Sequence, residues 1–161
     1  MTLRTALVLA CVAVIAGCSG MLAPPWGVEE GKLRPCGTLR GCVSSQAVEP
    51  ERRVEPIAYQ TSREAARDDL VSVIRSFRDA QVVSSHPNYL RVEFTSRDPA
   101  ASGFNVLMID IAEFYFPVEL AQIEVRSIPR RNMPDSGDNR SRIEAIRDRF
   151  EELQRHHPIL K

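Results

Sequence analysis

The chain has 161 residues, with 21 Lys and Arg against 21 Asp and Glu, and 43% of its residues are apolar. A balanced charge offers no electrostatic case for gripping nucleic acid or anionic lipid headgroups. The apolar share suffices for a core, which excludes a wholly disordered chain.

Residues 1–17 read as a lipoprotein signal peptide. Arg4 forms a weakly positive start, and Thr5 to Ile15 is an apolar run of about 11 residues, too short for a permanent span that needs roughly 20. The junction Ile15-Ala16-Gly17-Cys18 resembles a bacterial lipobox. Its cysteine thiol receives a diacylglycerol and becomes the new N-terminus. Cys18 is thus the expected lipid (palmitate-type) attachment point, an ordinary secretory cut nearby being the plainer alternative. Two or three acyl chains hold stably where one does not. Ser19 stands where an Asp would resemble an inner-membrane retention signal, so the expected home is the outer membrane, facing the periplasm.

Cleavage would leave Cys36 and Cys42 as an even pair in an oxidising compartment. A bridge between them closes a ring of about 7 residues, worth roughly 2.4 kcal/mol by loop entropy. A zinc site lacks ligands, because two cysteines without a nearby histidine fall short of four. The expectation is a disulfide, with no metal and no cofactor.

Residues 18–33, rich in Pro, Gly and acid, read as a tether reaching at most roughly 50 Å. Trp26 within it is free either to meet the membrane interface or to dock on the domain. Residues 34–156 form the expected single domain, opening with a bridge-stapled coil over 34–55. Thr61-Ser62-Arg63-Glu64 has capping-box form, and Ala66, Leu70, Val73, Ile74 and Phe77 recur at helical spacing, predicting a helix over 62–80. Leu90, Val92 and Phe94 alternate with polar residues as a half-buried strand does, and 81–85 should pair with it across Pro87. Phe104 to Phe116 is apolar on both faces, as in a covered central strand, and Ala121, Ile123 and Val125 predict a further one. After a polar loop over 128–138, Asp138 or Asn139 can cap a last helix carrying Ile143, Ile146, Phe150 and Leu153. The expected fold class is α+β: a small antiparallel sheet of about four strands flanked by two amphipathic helices.

Three stretches resemble one family. They are Pro35-Cys36 with Cys42-Val43-Ser44-Ser45-Gln46-Ala47; Asp110-Ile111-Ala112-Glu113-Phe114-Tyr115; and Val125-Arg126-Ser127 followed by Arg130, Asp135, Gly137, Asn139-Arg140 and Arg142-Ile143-Glu144. The chain looks like a member of the bacterial and plastid family known as domain of unknown function 1499, over roughly residues 34–154. It departs from the family pattern in having Gly41 for Asn, Ile111 for a second Asp, and Pro129, Asn132 and Met133 for Ser, Gly and an aromatic residue. The resemblance implies no known reaction.

The candidate chemistry lies in the loop ahead of the last helix. Arg126, Arg130 and Arg140 with Asp135 and Asn139 have the guanidinium forks and helix N-terminus that suit a carboxylate or phosphate. The same residues suit a structural lock, with Asp135 pairing an arginine and Asn139 capping the helix. Asp110 and Glu113 stand three apart on a strand, so they should point to opposite faces and not share an acid/base site. Ser44 and Ser45 lack a nucleophile-elbow setting, and His86, His156 and His157 lack metal partners at useful spacing. Cys36 and Cys42 lack the Cys-x-x-Cys spacing of a redox couple. The function expected from these features is a non-catalytic, envelope-tethered accessory or binding domain. Its partners would be the membrane, through lipid, and an anionic small ligand or an envelope protein, with no nucleic acid. The alternatives are an enzyme using Asp135 or Glu113 as acid/base on an anionic envelope substrate, or a structural subunit of an envelope complex.

Overall fold

The computed structural model describes residues 26–97, 107–129 and 137–156. In chain order these form β1 (Val28–Glu29), β2 (Lys32–Leu33), β3 (Val43–Ser44), β4 (Ile57–Ala58), α1 (Arg63–Arg75), β5 (Ala80–His86), β6 (Tyr89–Arg97), β7 (Leu107–Tyr115), β8 (Gln122–Pro129) and α2 (Asp138–His156). A six-stranded sheet runs β3-β8-β7-β6-β5, with β4 also pairing β8, and β1 and β2 form a separate two-stranded hairpin. Every pairing between these strands is antiparallel. The class is the expected α+β fold with two helices.

The four strands legible as alternating or apolar runs are all present as β5 to β8. The sheet is larger than expected because β1 to β4, at two residues each, are too short to show any period. β1 and β2 pair only with each other, while long-range partners make β3 and β4: Ile57 pairs with Ile123 and Val43 with Ser127, so both share the outer edge of β8. The first helix ends at Arg75, short of the expected 80, because Asp79 and Ala80 already join the sheet. Its cap is Ser62, one residue after the expected Thr61, and the Ser62 hydroxyl accepts the Ala65 N–H at 3.2 Å.

β7 lies at the centre, and its two faces are covered by different layers. On one face, Ala112 and Phe114 pack with Leu70 and Ile74 of α1 and with Ile146 and Phe150 of α2. On the other, Ile111 and Ile128 pack beneath Cys36, Cys42, Leu39 and Trp26. Residues 26–33 therefore fold onto the domain, where the sequence read as tether throughout. Trp26 docks, with the Arg91 guanidinium 4.6 Å from its ring centre, as a cation over an aromatic face prefers.

Cys36 and Cys42 are bonded, their Cα atoms 5.6 Å apart, as the sequence led one to expect. The ring turns through left-handed backbone at Gly37 (φ 55°) and Gly41 (φ 71°). That conformation is open to glycine and, after it, to asparagine. Gly41 in place of the family's Asn thus preserves the one property this turn needs.

Candidate functional site

The strands place charged side chains under the hairpin. In register, Arg91 on β6 lies opposite Glu113 on β7, and Glu113 lies opposite Arg126 on β8. This puts a carboxylate between two guanidinium-bearing positions on the hairpin face. Glu113 is fully buried and Arg126 is 1% exposed. Arg126 Nη1 donates to Glu113 Oε2 at 2.6 Å, while Glu113 Oε1 accepts from the Tyr89 hydroxyl at 2.7 Å and from the Gly27 N–H at 2.6 Å. Arg126 Nη2 donates to the Pro35 carbonyl at 3.2 Å. Gly27 and Pro35 lie at the two ends of the hairpin, so one ion pair clamps both its arms. Burial, then the facing Glu113 carboxylate, pushes the Tyr89 phenol well above its ordinary range.

Beside this pair sits a second buried acid. Glu124 accepts from the Ser45 hydroxyl at 2.5 Å and from the Gln122 amide at 2.6 Å, and Ser45 Oγ in turn accepts the Val125 N–H at 2.9 Å. These bonds tie the segment after β3 to β8.

Asp110 points to the helix face, opposite to Glu113, as the strand period requires. Arg142 of α2 donates to Asp110 Oδ2 at 2.7 Å and to Asn139 Oδ1 at 2.8 Å, and lies 4.9 Å from the Phe94 ring centre. Asn139 Oδ1 also accepts from Ser127 Oγ at 2.6 Å. Asn139 is 1% exposed and stands inside the first turn of α2, where it bonds the helix to β8. Arg140 donates to the backbone carbonyls of Arg53 and Glu51, both at 2.8 Å.

The residues read together as an anion site thus separate in space. Arg126 serves Glu113 on the hairpin face, Asn139 serves the helix face, and Arg140 holds the turn after β3. Arg130 and Asp135 lie outside the described residues, as does Cys18. A cleft of about 550 Å³ opens between the hairpin and residues 44–49, lined in part by Lys32, Arg34, Pro35, Gln46 and Glu49, and it is not lined by Arg126, Asn139 or Arg140. Among the described residues, no group of three or more His, Cys, Asp or Glu could hold a metal ion. No described helix is long and apolar enough to cross a membrane.

Sequence reasoning missed Tyr89, Gly27, Glu124 and Arg142 as members of these clusters. A signal was present for part of it. An acid in the middle of an apolar central strand has to be paired, and the register makes Arg91 and Arg126 its neighbours.

The architecture defines a class: a small α+β domain with two helices on one face of an antiparallel sheet, and an N-terminal hairpin followed by a disulfide-closed ring strapped over the other. The chain belongs to the family described as Protein of unknown function (DUF1499), whose model matches residues 32–150. Trp26 and Gly27, which close the strap, precede that match. No curated protein and no solved structure matches the chain.

Proposed function

We propose that the protein is a lipid-anchored accessory or binding domain of the cell envelope, held by acylated Cys18 in the outer membrane and doing no chemistry of its own at the Glu113 cluster. The observation that supports this reading is the occupation of Glu113. A general acid or base needs a proton partner within reach of substrate, whereas both oxygens of Glu113, which has no exposed surface, are taken by Arg126, Tyr89 and the Gly27 N–H. The lipobox at Ile15 to Cys18 and the disulfide, which suits an oxidising compartment, support the location.

An anionic ligand at the β8–α2 end would fall to Arg130, since Arg126 and Arg140 hold Glu113 and two backbone carbonyls. The test uses the protein from its own cells. Metabolic labelling with a fatty acid should mark the wild type and not Cys18→Ser, and membrane fractionation should place only the former with the outer membrane. Titration of the soluble domain with inorganic phosphate should then lose its response in Arg130→Ala. Unlabelled wild-type protein would remove the anchor, and binding unchanged in Arg130→Ala would remove the anion site.

A further inference from the structure

The docking of Trp26 shortens the span between fold and anchor. The described residues begin at Trp26, whose ring packs in the cluster of Cys36, Cys42, Ile111 and Ile128, and the neighbouring Gly27 N–H is bonded to buried Glu113. Seven residues, Ser19 to Pro25, lie between Trp26 and Cys18, and two of them are Pro24 and Pro25. A segment of that length spans at most about 28 Å. A domain of this size is about 35 Å across.

We infer that the hairpin face of the domain lies against the bilayer surface and that the α1–α2 face looks away from it. This rests on acylation of Cys18. The sheet and helix layers put the outer surface of the helices roughly 25 Å from the hairpin. Turning that face downward would lift Trp26 to nearly the full reach of its segment, forcing the chain taut at an entropic cost the opposite orientation avoids. Charge does not drive the contact: residues 26–55, which make the hairpin, the disulfide ring and the turn beyond it, carry five acids against five bases, and Glu29 pairs with Arg34 at 3.3 Å. The partner surface is therefore a lipid headgroup layer met by tethering, and partner proteins are left the helix face.

The full-length acylated chain in phosphatidylcholine vesicles bearing dansyl headgroups tests this. Trp26, the only tryptophan, is the energy donor. A Trp26→Phe/Ser72→Trp variant moves the donor to the exposed outer side of α1. Transfer should be several-fold stronger from position 26 than from position 72, should be insensitive to added salt, and should collapse when a Gly/Ser linker of about 20 residues is inserted between Pro25 and Trp26. Equal or stronger transfer from position 72, or transfer indifferent to the linker, overturns the orientation while vesicle co-sedimentation keeps the anchor. Failure of the chain to co-sediment overturns both.

Discussion

At the residue scale the energetics centre on Glu113, an acid with no exposed surface whose neighbours come from four separate parts of the chain. Arg126, Tyr89 and the Gly27 N–H bond it directly, and Pro35 bonds the same arginine. The attraction between two buried charges roughly offsets their desolvation, so such a pair adds little net stability, yet removing one partner strands the other. Tyr89 brings a pH dependence. Its phenol is raised in the folded state by burial first and then by Glu113, so the unfolded chain loses its proton first. The stabilisation is complete below about pH 10 and is lost as pH rises beyond it. Chemical unfolding between neutral and strongly alkaline pH should show stability falling above about pH 10. Tyr89→Phe should flatten that fall in part, because Tyr59 is raised as well, chiefly by burial. An unchanged alkaline slope in Tyr89→Phe would contradict the assignment.

At the scale of elements, the strap is the least self-sufficient piece. β1 and β2 have two residues each, far below what a hairpin needs to stand alone. It is held by the Cys36–Cys42 ring, by Trp26 and by the bonds to Glu113 and Arg126. A Cys36→Ser/Cys42→Ser variant should lose about 2.4 kcal/mol in urea unfolding, with amide exchange at Gly27 and Leu33 rising before that of β7. Loss of protection at β7 first would mean that the ring supports the sheet and not the strap. α1 depends on local chemistry: Ser62→Ala removes the cap on the Ala65 N–H and should cost about 1 kcal/mol by thermal unfolding.

How far these elements could be read in advance follows from their length. β6 shows a period of two because Leu90, Val92 and Phe94 are buried and their neighbours are not. β7 shows none because both faces are covered, and its 9 residues still read as a central strand from their apolar run. β1 to β4 were illegible because two residues define no period, and for β3 and β4 the partner strand, β8, lies far away in the chain. The disulfide was legible from cysteine arithmetic, and the opposed faces of Asp110 and Glu113 from strand geometry. The grouping of Arg126, Asn139 and Arg140 was not. These residues are close in sequence, but Arg126 and Ser127 alternate across the sheet, so one turns to the hairpin while the other meets Asn139.

On the scale of the whole molecule, the domain has three layers, helices over sheet over strap, and the last is supplied by residues that composition alone would assign to a linker. Deleting residues 1–34 should destabilise the domain by about 2–4 kcal/mol, because it removes the hairpin, takes Trp26 from the cover over Ile111 and Ile128, and leaves Glu113 without the Gly27 N–H.

The most direct measurement is a double-mutant cycle on the clamp by urea unfolding. If Glu113 and Arg126 fasten the strap as a pair, Glu113→Leu and Arg126→Met should each cost about 3–5 kcal/mol. The double variant should cost at least about 2 kcal/mol less than their sum, because no charge is then left unpaired. It should stay below wild type, because the Tyr89 hydroxyl and the Gly27 N–H have lost their acceptor. Single variants costing under about 1 kcal/mol, or losses that simply add in the double variant, would contradict this account.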